Sequence, residues 1–175
     1  MLQEHWRTAF VGRPPTAILR DWLSEPASLT KRCQRLCRNF RVRLISQGRI
    51  ADAAMKGPHW ARDVLLECDG EPVIFAHTTL SCMPRGRLTC WLARLGERSL
   101  GALLFYYPGF SRGKIEYCRL DQRHSLYQRA AQVCRLPPWV WARRSGHFLN
   151  GQKVLVTELF LPALLALQGS APGKK

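Results

Sequence analysis

Glu158 stands in the run Val154 to Pro162, VLVTELFLP, which is apolar apart from Thr157 and Glu158 itself. With a strand period of two, Val154, Val156, Glu158 and Phe160 share one face, while Leu155, Thr157, Leu159 and Leu161 share the other. Both faces read as dry. An unpaired carboxylate in such a place is costly or becomes protonated, so Glu158 calls for a partner, a water-filled pocket or a ligand. Arg62 poses the same question with the opposite sign, because Trp60, Arg62, Val64 and Leu66 fall on one face of HWARDVLLEC. If Asn150-Gly151 is a two-residue hairpin loop, facing residues have numbers summing to 301 and Arg143 lies opposite Glu158. The same counting about Asp69-Gly70 sets Arg62 opposite His77. Buried Arg–Glu pairs can be purely structural. Two arginines against one carboxylate, however, leave a net positive cavity, which suits a dianion better than a closed salt bridge.

The elements that must position these groups follow from periodicity. After Pro14-Pro15, Ile18, Leu19, Trp22 and Leu23 mark a helix that Pro26 stops, and a second helix starts at Ser28 with Leu29, Cys33 and Leu36 on one side. NFRVRLIS then alternates as a strand, with Phe40, Val42 and Leu44 facing inward. Two strands flank Asp69-Gly70, a dipeptide suited to the positive φ of a tight turn. Helical spacing returns from Leu88 to Tyr107, broken by Gly96, with Leu100, Leu103 and Leu104 on the second piece. A strand around 114–120, a helix over 124–138 ended by Pro137-Pro138, and the hairpin about Asn150-Gly151 complete the pattern. The expectation is one α+β domain over 1–167 and a disordered tail over 168–175.

Composition sets limits on function. The 175 residues are 46% hydrophobic and 22% charged, enough for one self-sufficient core. Twenty-seven Lys and Arg against twelve Asp and Glu give a formal charge of +15, which favours anionic partners. The basic residues are spread along the chain without an aromatic-basic reader pattern, so no specific nucleic-acid function is expected. Seven cysteines (33, 37, 68, 82, 90, 118 and 134) form no metal-ligand pattern with His, and buried reduced thiols are the expectation. With no secretory leader, and with the apolar run 154–167 too short to span a bilayer, a cytoplasmic location is expected.

Five blocks carry a family resemblance: DWLSEPASLTKR (21–32), HWARDVLLECDGEP (59–72), LGERSLG (95–101), WARRS (141–145) and VTELFLP (156–162). In order and wording the chain resembles the bacterial chorismate pyruvate-lyases from about Asp21 to Pro162. The resemblance implies a chorismate lyase-like fold, a mostly antiparallel sheet with helical flaps over an enclosed pocket. It implies conversion of chorismate to 4-hydroxybenzoate and pyruvate, the entry to ubiquinone synthesis, with no cofactor and no metal; a monomer is the separate expectation. The family's ligand positions correspond to Leu29, Arg62, Leu100 and Glu158. On this reading Arg62 holds the ring carboxylate through a bidentate pair, Glu158 meets the hydroxyl end of the ring, and Leu29 and Leu100 belong to the flaps. Hairpin counting nominates Arg143 for the enolpyruvyl carboxylate, with Arg119 as its rival. Aromatisation supplies the driving force, so the protein has only to bind, orient and shield. Product keeps the ring and its carboxylate and is expected to inhibit. Two departures stand out: Leu29 occupies a place where Met can occur, and the 120–140 region is longer. The alternative is a binding-only sensor, since ligand-sensing domains of some bacterial transcription regulators resemble the same fold.

Overall fold

The computed structural model describes residues 6–50, 59–81, 90–91, 94–101, 104, 109–149 and 151–168. Helices α1 (Ala17–Leu23) and α2 (Leu29–Leu36) come first, each started by a hydroxyl cap. Thr16 accepts from the Leu19 amide at 3.3 Å and Ser28 from the Lys31 amide at 3.4 Å, which satisfies donors that an unstarted helix leaves open. Strands β1 (Phe40–Ile50), β2 (His59–Cys68), β3 (Glu71–Ser81), β4 (Ser111–Arg112) and β5 (Glu116–Asp121) follow. Helix α3 (Ser125–Ala131), strands β6 (Trp139–Leu149) and β7 (Gln152–Phe160), and a 3-10 helix over Pro162–Gln168 complete the chain.

The strands form one seven-stranded antiparallel sheet in the order β1-β2-β3-β7-β6-β4, with β5 beside the first half of β6. Both sheet faces are dry, as the near-continuous apolar runs of β2 and β7 imply. One face packs Val42, Val64, Leu66 and Phe160 against Trp22, Leu23 and Leu29 of the first two helices. The opposite face packs Leu65, Phe75 and Leu159 against Tyr127 and Ala130 of α3. A third cluster joins Leu80 and Val154 to Leu95, Leu100 and Leu104. The helical cover is thus divided along the first face, and the functional cavity lies under the division.

The last hairpin keeps the counted register throughout, with Arg143 opposite Glu158. The Asp69-Gly70 hairpin does not. Glu67 pairs with Pro72 as counted, but Leu66 pairs with Ile74, leaving Val73 as an extra residue. Pro72 has no N–H to give the ladder, and the Val73 carbonyl turns to accept from the Leu161 amide at 3.0 Å. Beyond this bulge every pair moves by one, so Arg62 faces Thr78 and His77 faces Asp63 on the far side of the sheet. There His77 Nδ1 lies 2.5 Å from Asp63 Oδ1, while Ser46 (2.9 Å) and Arg129 donate to Oδ2. Burial alone would raise the Asp63 carboxyl. His77, Arg129 and Ser46 outweigh it and hold the group below the usual carboxylate range.

Two other expectations change. The helix anticipated over 124–138 ends at Ala131, because the Tyr127 hydroxyl donates to the Pro137 carbonyl at 2.5 Å and folds the following segment back. Strand β4 has only two residues, too few to show a period, and was not anticipated. Of the helical region anticipated from Leu88 to Tyr107, residues 90–91, 94–101 and 104 are described; Gly96 among them has a φ of 55°, in the left-handed region, and Leu103 lies outside the described residues. The tail 169–175 and Asn150 of the second turn lie outside the described residues, and Gly151 beside it has φ 76°.

Candidate active site

Pairing across the sheet arranges the cavity floor in transverse rows. Arg62 (β2), Thr78 (β3), Val156 (β7) and Ser145 (β6) form one. Val64, Ala76, Glu158 and Arg143 form the next, and Trp60, Leu80, Val154, His147 and Arg112 the row on the other side. The middle of the floor is therefore small and mainly apolar, with charged groups at the margins. Ser28, Leu29 and Thr30 of α2 cover one side, and Ser99, Leu100, Gly101 and Leu104 the other. The two covers meet where the Ser99 hydroxyl donates to Thr30 Oγ1 at 3.1 Å. A Cβ on Gly101 would stand 3.0 Å from Ser28 Oγ and 3.3 Å from Thr30 Oγ1, so this close approach favours glycine. The cavity between floor and covers has a volume of about 50 Å³.

Three guanidinium groups line this space, and each also holds backbone of the cover. Arg62, 2% exposed, donates from Nε (3.2 Å) and Nη2 (2.7 Å) to the Gly96 carbonyl, and from Nη2 to the Arg98 carbonyl at 2.9 Å. That leaves Nη1 without a protein partner among the described residues. Burial lowers Arg62 to about 10. Arg143, also 2% exposed, donates from Nε to Glu158 Oε2 at 2.6 Å and from Nη1 to the Leu23 (3.2 Å) and Glu25 (2.7 Å) carbonyls. Arg112 donates from Nε to Ser145 Oγ at 3.2 Å and from Nη1 to the Pro26 carbonyl at 2.7 Å. Burial lowers Arg112 first, and repulsion from Arg143 lowers it further.

The turn that receives Arg143 and Arg112 is itself braced. Arg32 of α2 bonds the Asp21 carboxylate, the Asp21 carbonyl (3.1 Å) and Glu25 Oε2 (3.2 Å), and its guanidinium lies 4.0 Å from the Trp22 ring centroid. Nearby, His147 is 4% exposed with Nε2 3.3 Å from Ser145 Oγ. Burial, then repulsion from Arg112, lowers it to about 4, so it is neutral near pH 7. Among the described residues lining the cavity, three arginines stand against Glu158 alone, a surplus of two positive charges.

A cavity with this surplus of positive charge suits an anion. The family model described as chorismate lyase matches residues 4–169. The chain belongs to the chorismate lyase family. A protein of Dechloromonas aromatica named "Probable chorismate pyruvate-lyase" is 56% identical over 176 residues, covering 96% of this chain and 100% of its own. Proteins of the same name from Methylobacillus flagellatus (38% identical; 95% and 97% covered) and Aromatoleum aromaticum (41%; 90% and 94%) are also similar. Among solved structures, the effector domain of PhnF from Mycobacterium smegmatis has a TM-score of 0.50 at 18% identity, covering 78% of this chain and 89% of that one. That likeness shows the fold, an open antiparallel sheet with a few helices.

Leu29, Arg62, Leu100, Arg143 and Glu158 all line the one cavity. Arg119 does not. It is exposed on β5, 5.3 Å from the Trp139 ring centroid and 5.9 Å from that of Trp141. His77 is on the opposite sheet face, for the reason given by the bulge. Sequence reasoning missed Arg112, Ser145 and His147. The alternation from Arg143 through Ser145 to His147 on β6 offered a signal for the last two; Arg112 on its two-residue strand offered none.

Cys33, Cys37 and Cys68 gather where α2 meets the end of β2, with Cys37 Sγ 2.6 Å from Cys68 Sγ. Burial first, then the neighbouring thiol, pushes Cys37 up to about 12. No helix among the described residues is long and apolar enough to cross a membrane.

Proposed function

We propose that the protein converts chorismate to 4-hydroxybenzoate and pyruvate. The observation that carries this is a covered cavity with two surplus positive charges in a chain of the chorismate lyase family. Arg62 on β2 and Glu158 on β7 are two strand spacings apart, about 10 Å between backbones. Ala76, Thr78 and Val156 lie on the floor between them.

In this reading Arg62 takes the ring carboxylate end-on through Nη1, since its other nitrogens hold Gly96 and Arg98, a narrower contact than a bidentate fork. Glu158, held by Arg143, meets the hydroxyl end, and the enolpyruvyl carboxylate enters the cationic end beside Arg143. The ring loses the hydrogen of its alcohol carbon and the adjacent carbon–oxygen bond to enolpyruvate breaks. A ring double bond forms between those carbons, and the departing group takes a proton at its methylene carbon to become pyruvate. Leu29 and Leu100 close over the ring and exclude water. A cytoplasmic monomer that feeds 4-hydroxybenzoate into ubiquinone synthesis, without cofactor and with inhibition by its product, belongs to the same proposal.

The test is purified protein with chorismate alone in EDTA and reductant, followed by assay for pyruvate. Stoichiometric pyruvate and 4-hydroxybenzoate are expected. Binding without pyruvate release would favour a sensor, and activity lost in EDTA but restored by a divalent ion would overturn the cofactor-free chemistry.

A further inference from the structure

We infer that the hydroxyl of Thr78 is a ligand contact, the second donor to the ring carboxylate that Arg62 binds, an assignment that rests on the lyase reading. Thr78 lies in the middle of the cavity floor, directly opposite Arg62 on β2 and Val156 on β7. It is 4% exposed. Along β3 the same face carries Ala76 and Leu80, so its direct neighbours are apolar apart from Arg62. Among the described residues that line the cavity, the other hydroxyls are engaged: Ser28 caps α2, Ser99 donates to Thr30, and Ser145 accepts from Arg112. That of Thr78 makes no hydrogen bond to any described residue.

A buried hydroxyl without a partner weighs against stability and is uncommon in folded proteins, so one left open on a cavity floor finds its partner in what enters. Packing alone is served better by valine, which has the same outline, no polar atom and a strong strand preference. The position on the floor points to the ring carboxylate. Arg62 commits Nε and Nη2 to the Gly96 and Arg98 carbonyls, so its Nη1 meets one oxygen of an arriving carboxylate. The other oxygen then needs a donor of its own in a dry cavity. Directly opposed strand residues stand about 4.5–5.5 Å apart at Cβ, which sets the Thr78 hydroxyl on the Arg62 side of the floor. Strand β7 separates it from Arg143, and β7 and β6 separate it from Arg112. Glu158, the other polar group near the middle of the floor, is an acceptor when ionised and cannot supply the donor.

Thr78→Val keeps the shape and removes the donor. It should raise the inhibition constant of 4-hydroxybenzoate about tenfold or more, the loss expected for a hydrogen bond to a charged group. Chorismate carries the same ring carboxylate, so its KM should rise in step. The ligand-free variant should melt at or above the wild-type temperature, which removal of a structural hydroxyl would not allow. 4-Hydroxybenzaldehyde, neutral and with one acceptor oxygen in place of the carboxylate, should weaken by less than about threefold. Thr78→Ser, which restores the hydroxyl, should bind 4-hydroxybenzoate within about threefold of wild type, and Thr78→Ala carries the test should Thr78→Val not fold. If wild type releases pyruvate, any one of four results would overturn this contact alone: an unchanged inhibition constant in Thr78→Val, equal losses for the acid and the aldehyde, a lowered ligand-free melting temperature, or Thr78→Ser as weak as Thr78→Val. A wild type that releases none would remove the lyase reading and the contact together.

Discussion

Arg62→Ala separates an anchor for ligand from a tie for the cover. Burial lowers Arg62 from its ordinary value to about 10, which works against its charged form by about 3 kcal/mol. Alanine removes that penalty. It also strands the Gly96 and Arg98 carbonyls, at roughly 1–3 kcal/mol for each that stays dry. These terms oppose one another, so ligand-free stability should change by no more than about 3 kcal/mol. Binding should not be spared. A carboxylate left buried without its cation loses roughly 2–5 kcal/mol, or about 30-fold to several thousand-fold in affinity. Titration calorimetry with 4-hydroxybenzoate measures the second effect, and urea melts measure the first. Wild type should gain about 2.7 kcal/mol at a ligand concentration one hundred times its Kd, whereas the variant at that concentration should gain close to nothing. A variant that keeps wild-type affinity while losing more than about 3 kcal/mol of ligand-free stability would show that Arg62 serves only to hold the 96–98 turn.

Glu158→Gln should lose most turnover, and because it leaves Arg143 buried without a carboxylate it should also lose about 3–5 kcal/mol of stability by urea titration; full activity would leave Glu158 a packing role. His147 is lowered to about 4, so the unfolded chain binds its proton first as pH falls from about 6.5. That contribution to stability is present above about pH 6.5 and should be lost by about pH 4, a drop of about 3 kcal/mol that His147→Asn flattens in pH-dependent melts. Leu100→Ala should raise the product inhibition constant by thinning the apolar cover. In stopped-flow mixing, wild type should show a burst of product before a slower steady state and the variant a smaller burst, whereas a linear wild-type trace with an unchanged constant in the variant would exclude release gated by the cover.

Strict alternation carried much of the site into view. Glu158 and Arg143 could be paired by counting because their hairpin has no bulge, and every pair of β6 and β7 keeps the same sum. Arg62 could be placed on an apolar face of β2, but its neighbour could not, since a single extra residue at Val73 shifts the pairing by one. A bulge beside a proline is set by tertiary bonding, here the amide of Leu161, and leaves no mark on local periodicity. Arg112 was hidden for a different reason: two residues have no period, and the strand exists because the long β6 offers them an edge. Arg119 was legible as a strand residue on the face of Arg143, since Tyr117 faces Arg143 and Arg119 faces Trp141, yet alternation alone does not say that it lies beyond the end of the cavity.

The cover is fastened by the same cations that line the cavity, and the choice of acceptor matters. Arg62 holds the carbonyls of Gly96 and Arg98, Arg143 those of Leu23 and Glu25, and Arg112 that of Pro26. Carboxylates in these places would bind more strongly, but each would cancel one positive charge. Carbonyls satisfy N–H donors and leave the charge in place. Glu158 is the exception, and its single negative charge lies toward Arg143, away from Arg62 across the floor. Burial first, and then repulsion among Arg112, Arg143 and His147, disfavours the charged forms of Arg112 and His147, and an anionic ligand beside them relieves that repulsion.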